Sequence, residues 1–561
     1  MEIYLSLQKE FVEIFSLLSR DIDIHPFMVK YQSFLVTLKT HIAAAEKTPI
    51  LQKSYFLVLT LLYKLIPYTR DIYGGLGEKK LSYMMVFLWN YHFPRAAVLC
   101  LKNMMLPIEN CPPYGSWRDI KSMCLFIRQF SGKGENDPFI ETCLGLMNHQ
   151  LDVDYTQWNN TLDEYNRKKN TGFAIEKPTP QSAGISLVAK WIPRENSAFD
   201  WVFKRAAVQW IRSFKPQYFK SCKNESQFNS ALKKGSKEYR QVFARLSKEW
   251  DTLEIKQCKK QWISIKSHKV PFMATLRQQQ SLLNISSNGM VRRKTADETD
   301  RSACALKIQK LWRLTRSSNN PVFIDMGVFI KNAMRVSQYD EVRRSEIQWR
   351  HIISQATAMP DMLPILDLSL FQDQGDRFYE AMGLACIIAM KSSKRIMLFD
   401  QSTYFVSIEH CTSLQDILTL LRPIFYEHYI GQNVKAVCDT LLLSIRETGL
   451  AKEDVGKMKL AFFTYFDRID LFQNIVRETF ENAGFDLVPF LLIWKATKKV
   501  PIRSTSSIGT NPRTFVFSGN SNYALTRISS LPLEAWNNMN AFDFVAFLLN
   551  QPRYDIFDYL Q

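Results

Sequence analysis

The chain has 561 residues, 46% of them hydrophobic and 22% charged, and carries a formal net charge of +18. This composition is that of a globular protein rather than a disordered chain, and the length predicts two or three domains. The ten Cys form no C-x-x-C pair, which argues against structural zinc and a disulfide framework and predicts a cytoplasmic, reducing environment.

The N-terminal residues predict neither a signal peptide nor a membrane anchor. They lack the basic segment and the following apolar segment that a signal peptide requires. The longest apolar stretch, Tyr55–Tyr68, is interrupted by Lys64 and is shorter than the roughly 20 residues that cross a bilayer. We therefore expect a buried helix at this position and no membrane partner.

Apolar residues recur with helical spacing through residues 1–280. Phe11, Ile14, Phe15 and Leu18 fall at i, i+3, i+4 and i+7, which places them on one face of a helix. Similar segments follow, separated by short breaks that contain Pro or Gly. The pattern predicts an all-α region built from HEAT-like helix pairs.

The positive charge is concentrated in residues 201–320. This segment holds 26 Lys and Arg against 8 Asp and Glu, an excess equal to the net charge of the whole chain. Uncompensated like charge disfavours a compact state, so the segment predicts a polyanionic partner, either nucleic acid (RNA rather than DNA) or an acidic protein. The candidate nucleic-acid-binding residues are Lys204, Arg205, Arg212, Lys215, Lys220, Lys233, Lys234, Lys237, Arg240, Lys259, Lys260, Arg292, Arg293 and Lys294.

Aromatic residues are interleaved with these cations, and they have two interpretations. Trp201, Trp210, Tyr239, Trp250 and Trp262 would stack on unpaired bases if their rings faced solvent. The same rings would form the buried side of helices if only the charged side were solvated.

After residue 358 the pattern changes to short apolar runs that alternate with helical ones. Residues 281–358 are predicted to be a basic linker with connecting helices, and residues 531–561 a helical tail. Strands are predicted at 362–367, 395–399, 403–408, 459–464, 490–494 and 514–518, and helices at 377–391, 434–446 and 471–483. The alternation predicts an α/β doubly wound, mostly parallel sheet over residues 359–530.

Several motifs occur in the order in which they occur in one known family. Residues 69–78 read TRDIYGGLGE, residues 114–119 read YGSWRD and residues 186–193 read SLVAKWIP. They resemble the T-R-D-I-R-G-G-K-G-E, Y-G-Y-W-K-D and S-L-A-A-K-W-x-P motifs of an uncharacterised family shared by plants, fungi and large DNA viruses. That family is similar in plan to the Ro/TROVE RNA-binding proteins. The resemblance implies a TROVE-like helical region followed by a von Willebrand factor A-like domain.

The glycines of the first motif also have two interpretations. Gly74, Gly75 and Gly77 permit a close backbone approach after a helix. A phosphate-binding loop is the alternative, although no Lys-Ser or Lys-Thr follows at the required spacing.

The resemblance further implies a metal site that this chain has lost. A von Willebrand A domain binds Mg²⁺ through D-x-S-x-S after its first strand, a Thr from a later loop and an Asp after another strand. The corresponding positions hold Asp367, Ser369, Phe371, Gln432 and Tyr465. Two oxygen ligands beside a Phe and a Tyr would hold Mg²⁺ poorly. We therefore predict a degenerate site with no metal and no cofactor, in which Asp367 caps the following turn.

The sequence predicts a binding protein rather than an enzyme. It has no H-E-x-x-H or G-x-S-x-G motif and no arrangement typical of a Ser or Cys nucleophile. The predicted function is a non-enzymatic nucleic-acid-binding scaffold, with protein–protein assembly through the von Willebrand A-like domain. The alternative is an internal structural protein of a large DNA virus, located in the virion and packed against the genome or other virion proteins.

Overall fold

The described residues of the computed structural model are 2–18, 22–72, 74–107, 111–171, 176–220, 222–266, 270, 272–286, 290–291, 299–314, 325–335, 339–373, 375–426, 431–464, 469–495, 513–517 and 522–555. Before residue 360 they are helical, apart from turns, loops, the short 3-10 helix Gly134–Asn136, the isolated bridge between Ile285 and Val291 and a bridge residue at Cys111. The α-helices of this region are α1 (Glu2–Leu17), α2 (Ile24–Ala44), α3 (Pro49–Arg70), α4 (Lys80–His92), α5 (Pro94–Met105), α6 (Arg118–Phe130), α7 (Pro138–Asn170), α8 (Val188–Trp191), α9 (Asp200–Phe214), α10 (Gln217–Lys220), α11 (Glu225–Trp250), α12 (Leu253–Cys258), α13 (Phe272–Arg277), α14 (Gln279–Leu282), α15 (Thr299–Leu314), α16 (Met326–Arg335) and α17 (Tyr339–Gln355).

Strands alternate with helices in the remainder of the described chain. The elements are β1 (Met362–Asp367), α18 (Asp376–Lys391), β2 (Arg395–Phe399), β3 (Thr403–Ser407), α19 (Leu414–Leu421), α20 (Val434–Thr448), α21 (Lys452–Val455), β4 (Lys459–Thr464), α22 (Ile469–Asn482), β5 (Phe490–Lys495), β6 (Thr514–Phe517), α23 (Asn522–Ser529), α24 (Leu533–Asn538) and α25 (Ala541–Leu549). Short 3-10 helices lie at Leu368–Asp373, Ile424–Tyr426 and Pro552–Tyr554. Each predicted strand is present and differs from the prediction by at most one residue at one end. A helical region followed by an α/β region confirms the coarse fold prediction.

The six strands form one mixed sheet in the order β3-β2-β1-β4-β5-β6. All neighbouring strands are parallel except β2 and β3, which are antiparallel. The chain winds outward from β1 to β3 on one side and from β4 to β6 on the other. The winding therefore reverses between β1 and β4, and in open α/β sheets ligands bind beside the carboxyl ends of the strands at such a reversal.

Both faces of the sheet are covered by apolar side chains. On one face Ile365, Phe462 and Ile493 form a buried cluster with residues of α20 and α22, such as Val437 and Phe472. Helix α18 packs against β1, β2 and β4 and does not belong to that cluster, so it covers the opposite face. The buried runs of the parallel strands are continuous rather than alternating because both faces are enclosed.

The N-terminal helices belong to the same compact unit as the sheet. One unit comprises Met1–Ser82, Ser267–Arg293 and Ala305–Gln561, and the other comprises Tyr83–Lys266 and Lys294–Cys304. In the first unit the rings of Phe11 in α1 and Phe542 in α25 have centroids 5.8 Å apart. The sequence predicts one helical region over residues 1–280. The contacts divide that region after Ser82. The reason is that the apolar side of α1 packs against α25, which lies close to the C-terminal end of the sequence.

In the second unit, α7, α9 and α11 are joined through one buried amide. Asn148 of α7 donates to the Ala206 carbonyl of α9 at 2.9 Å and accepts from the Tyr239 hydroxyl of α11 at 2.8 Å. Asn224 caps the amino end of α11, and its side chain accepts from the Gln227 amide at 2.9 Å. Its buried positions follow the helical period, so the opposite side of α11 is left for charged residues.

Among the described residues, α3 is the one helix that is long and apolar enough to cross a membrane. Its residues from Leu61 to Arg70 are buried, and Lys64 pairs with Asp555 at 2.5 Å. Tyr31 of α2 also donates to the Leu62 carbonyl at 3.1 Å. These contacts are those of a helix in a protein core, as predicted for Tyr55–Tyr68. The absence of a membrane partner stays a prediction.

Candidate functional site

The carboxyl ends of β1 and β4 carry a cluster of polar side chains at the point where the winding of the sheet reverses. Asp367 ends β1 and is 0% exposed. Its Oδ1 accepts from the Ser369 amide at 3.0 Å and from the Ser369 hydroxyl. Its Oδ2 accepts from the Thr464 hydroxyl at 2.7 Å and from the Gln432 side-chain amide. Both oxygens of a buried carboxylate are therefore bonded to protein donors.

The Gln432 amide nitrogen lies among three oxygen-bearing side chains. Besides its bond to Asp367, Nε2 lies 3.5 Å from Ser369 Oγ and 3.4 Å from Thr464 Oγ1. Carboxylate and hydroxyl oxygens in this arrangement are ligands that a hard divalent cation uses. In this chain the side-chain amide N–H group of Gln432 lies at the centre of the cluster, where it directs the positive end of its dipole at these oxygens.

Burial raises the pKa of Asp367, and the hydrogen bonds from Ser369, Thr464 and Gln432 oppose that rise. A carboxylate removed from water loses hydration energy, and donors aimed at its oxygens restore part of it. The bond from the Ser369 amide also caps the 3-10 turn that follows β1, which is the role predicted for Asp367.

The structure brings together Asp367, Ser369 and Gln432 and places Phe371 in different surroundings. The Phe371 ring stacks on Phe425 at 5.5 Å and meets Phe378 edge-on at 5.1 Å. Tyr465 lies outside the described residues. Thr464, which precedes Tyr465, is the residue that the sequence comparison missed. The sequence did contain one indication of Thr464, which is a hydroxyl-bearing residue at the end of an apolar strand.

A buried lysine lies on the same edge of the sheet and was also missed. Lys495 ends β5, is 6% exposed and is in register with Thr464. Since side chains alternate along a strand, Lys495 and Thr464 point to the same face. Among the described residues, no group of three His, Cys, Asp or Glu side chains could hold a metal ion. The cluster supplies hydrogen bonds and buried charge.

The structure divides the predicted basic residues into two sets. The residues of the first set are paired with carboxylates inside the second unit: Lys204 with Asp200 at 2.6 Å, Arg205 with Glu141 at 2.8 Å, Lys215 with Glu238 at 3.0 Å, and Arg240 with Glu195. Their charge is locally compensated. Arg292, Arg293 and Lys294 belong to neither set because they lie outside the described residues.

The second set is exposed and has no carboxylate partner in the described part of the chain. Its members are Arg212, Lys220, Lys233, Lys234, Lys237, Lys259 and Lys260. The lysines of α11 extend along one side of that helix together with Arg245 and Lys248, which are also exposed. We refer to Lys233, Lys234, Lys237, Arg245 and Lys248 as the basic face of α11. It is about 22 Å long at the 1.5 Å rise per helical residue.

The carboxylates of α11 near the basic face are directed elsewhere. Glu238 accepts from Lys215 and, at 2.7 Å, from the Tyr218 hydroxyl. Glu249 pairs with Lys177 at 3.4 Å. The positive charge of the basic face is therefore not cancelled by acidic residues of its own helix.

The interleaved aromatic rings largely face inward. Tyr239 is 0% exposed, and Trp210 and Trp262 are also buried. Trp201 and Trp250 are half-buried, and the Trp250 indole donates to the Ser186 carbonyl at 3.0 Å. Of the two interpretations of the sequence, the buried side of charged helices describes these residues, because a large ring gains most of its energy by burial.

The glycine motif folds back on the end of α3. The amides of Leu76, Gly77 and Glu78 donate to the carbonyls of Tyr68, Asp71 and Thr69 at 2.9, 2.9 and 2.6 Å. A Cβ atom on Gly75 would lie 1.8 Å from the Tyr68 carbonyl oxygen, so a side chain there would collide with the backbone. These amides are used within the turn, which favours the tight-turn interpretation over a phosphate loop.

No protein-family model, curated protein or solved structure matches the chain. Membership of the family suggested by the motifs therefore stays a prediction.

Proposed function

We propose that this chain is a non-enzymatic nucleic-acid-binding scaffold that contacts the phosphate backbone through the basic face of α11. The observation that carries the proposal is a row of exposed cations without carboxylate partners among the described residues, on a helix whose other side is buried. Such cations release condensed counterions when they neutralise phosphates. Because most of the nearby rings are buried, base stacking contributes little, and a structured RNA recognised by its backbone is the favoured ligand.

The finer fold assignment is part of the same proposal. A polar cluster that joins Asp367, Ser369, Gln432 and Thr464 after β1 and β4 supports a von Willebrand factor A-like domain with a degenerate metal site. Successive packing of α6 on α7, α7 on α9 and α9 on α11 supports a HEAT-like or TROVE-like arrangement of the helical region. The combination supports a scaffold of the Ro/TROVE plan.

The test is the salt dependence of RNA binding by the full chain. The change is simultaneous Lys233→Glu, Lys234→Glu and Lys237→Glu, measured by fluorescence anisotropy with a structured RNA. The logarithm of affinity of the unmodified chain should fall linearly with the logarithm of salt, by about 0.9 per neutralised phosphate for a duplex and about 0.7 for a single strand. The triple variant should bind weakly to every sequence and show a shallower slope.

A matched control reverses three exposed cations at the end of α7 in the same unit, Arg167, Lys168 and Lys169. It makes the same change in net charge away from the basic face of α11, so its affinity should stay close to that of the unmodified chain. If both variants lost RNA affinity equally, the change in net charge alone would explain the loss. Salt-independent binding by the unmodified chain would overturn the electrostatic account.

A further inference from the structure

Two of the sequence motifs meet in space at one tryptophan. The motif at residues 114–119 supplies Arg118 at the start of α6, and the motif at residues 186–193 supplies Trp191 at the end of α8. The Arg118 guanidinium carbon lies 5.7 Å from the centroid of the Trp191 ring, and Lys121 Nζ lies 5.2 Å from it. Residues that are far apart in the sequence thus place two cations at one indole.

The two cations are neighbours on the same side of α6. Arg118 and Lys121 are three residues apart, a spacing that puts like charges close together and is unfavourable in a helix. Lys121 Nζ also lies 5.2 Å from the centroid of Phe199. Neither cation has a carboxylate partner in the described part of the chain. Asp119, between them in sequence, instead accepts from the Ser116 amide at 2.7 Å and from the Tyr83 hydroxyl.

A third cation at the ring is already compensated. Lys190 Nζ lies 5.4 Å from the Trp191 centroid and pairs with Glu254 at 3.0 Å. Among the described residues, Glu254 is the carboxylate paired with a cation at this ring. Burial, and secondarily the charge of Arg118, lowers the pKa of Lys121, because both disfavour the charged form of the ammonium group.

We propose that Arg118, Lys121 and Trp191 form a binding site for a phosphate group, separate from the basic face of α11. A guanidinium group binds phosphate oxygens through two parallel hydrogen bonds, and an adjacent ammonium group adds a point charge. The first turn of α6 contributes further positive potential. The indole and Phe199 hold both side chains by cation–π contact, which fixes the cations before the ligand arrives. The phosphate belongs either to the 5′ end of a nucleic-acid strand or to a small phosphorylated molecule.

The experiment measures acylation of Lys121 in the folded full chain. The protein is treated with an amine-acylating reagent, and modification of each lysine is quantified by peptide mass spectrometry. Inorganic phosphate should protect Lys121 several-fold relative to chloride at matched ionic strength, because a bound oxyanion covers the amine and favours its charged, unreactive form. Exposed Lys169, at the end of α7 and outside both proposed sites, should react equally in both salts.

Two variants on α6 separate the site from general effects of charge. Arg118→Gln should abolish the protection, because it removes the bidentate partner. Arg128→Gln is the matched control, since Arg128 also lies over an indole, that of Trp201 at 5.2 Å, but is paired with Glu135 at 3.2 Å. Protection should persist in Arg128→Gln and in the triple reversal of the basic face of α11. The melting temperature of each variant establishes that it is folded.

Labelling in the presence of other ligands distinguishes the two sources of the phosphate. It also separates this site from the proposed RNA binding by α11. Protection by inorganic phosphate supports the site whether or not RNA binds to α11. Stronger protection by a 5′-phosphorylated oligonucleotide than by its unphosphorylated form would assign the site to a strand end. Equal labelling of Lys121 in phosphate and chloride would overturn the proposal, as would protection by internal RNA phosphates only, which would make Arg118 and Lys121 part of the nucleic-acid interface.

Discussion

At the residue scale, Gln432 and Asp367 decide what the carboxyl edge of the sheet can bind. The Gln432 amide donates to a carboxylate whose other bonds come from Ser369 and Thr464. A cation could reach Asp367 only by displacing that amide, and it would find no second carboxylate among the described residues of the cluster. The chemistry of the donor set therefore favours an internally bonded cluster over a metal site.

Metal titration checks this interpretation. Mg²⁺ or Mn²⁺ should not raise the melting temperature of the unmodified chain. In Gln432→Glu, a nearly isosteric change that replaces the amide nitrogen with an oxygen ligand, the same ions should raise it in a dose-dependent way by mass action. Gln432→Glu combined with Asp367→Asn is the control and should not respond. A dose-dependent rise in the unmodified chain that Asp367→Ala abolishes would contradict the prediction.

The pH dependence of Gln432→Ala tests the hydrogen bond itself. Because the pKa of Asp367 is raised in the folded chain, this group makes stability fall as pH rises from the ordinary Asp pKa through its folded-state value. Loss of one donor raises the folded-state pKa further. The variant should therefore differ little from the unmodified chain in acid, and by about 1.5–3 kcal/mol in free energy of unfolding once Asp367 is ionised.

Denaturant unfolding at a series of pH values measures this difference. Thr464→Val removes another donor to the same oxygen and should show the same trend. Thr440→Val is the control, because Thr440 bonds to the uncharged Thr403 hydroxyl at 2.9 Å, and its effect should not change across the acid range. A pH-independent cost of Gln432→Ala would mean that Asp367 is not the partner that matters.

At the element scale, close packing of α11 against α9 positions the basic face of α11. Gly235 lies between Lys233 and Lys237 but points inward. A Cβ at this position would lie 2.5 Å from Ile211 Cδ1 and 2.6 Å from Cγ1. Since Ile211 is 0% exposed, its side chain has little room to move, and the absence of a side chain at Gly235 lets the two helices approach.

Gly235→Ala should therefore destabilise the protein. In an isolated helix the change would be favourable by about 1 kcal/mol, but overpacking a core costs about 1–3 kcal/mol. We expect a net loss of about 1 kcal/mol in free energy of unfolding, measured by denaturant titration. Asn229→Ala, at an exposed position of the same helix, is the control and should be neutral or slightly stabilising. A more stable Gly235→Ala protein would show that α9 and α11 are not in tight contact.

At the scale of the whole molecule, residues near the two ends of the sequence share one buried network. Asp71, which follows α3, is 0% exposed and accepts from the Tyr554 hydroxyl at 2.7 Å and from Arg553 at 3.2 Å. Gln551 also donates to the Gly74 carbonyl at 3.2 Å. The conformation of the TRDIYGGLGE motif therefore depends on residues almost 500 positions later.

Arg553→Ala should cost about 3 kcal/mol of unfolding free energy, because it removes a cation that is paired with a buried carboxylate. Lys457→Ala is the control. It breaks the exposed pair with Asp454 at 2.8 Å, and exposed pairs contribute little to stability because solvent screens them. Denaturant unfolding of both variants gives the comparison.

A paired replacement distinguishes loss of the ion pair from loss of packing. Asp71→Asn combined with Arg553→Met removes both charges and keeps most of the volume, so it should be less destabilising than Arg553→Ala. If Arg553→Ala cost no more than Lys457→Ala, the C-terminal segment would contribute little to the first unit.

The sequence by itself determined the helical region, the six strands and the concentration of charge. Each of these features depends on the spacing of residues within a few turns or one strand, as in the runs at 362–367 and 459–464. Burial on both faces made the parallel strands recognisable as continuous apolar runs. For the same reason Asp367, the carboxylate that ends the first strand, could be named in advance.

Only the tertiary structure decided which side chains meet. Thr464 and Gln432 reach Asp367 from positions 97 and 65 residues away, and Arg118 reaches Trp191 from another helix. The pairing of Lys204 or Lys215 with a carboxylate, and the burial of Tyr239, also depend on how helices turn against one another. The spacing of apolar residues along a helix or strand indicates which of its faces is apolar. Partners distant in sequence are brought together by the packing of those faces, which no short segment specifies.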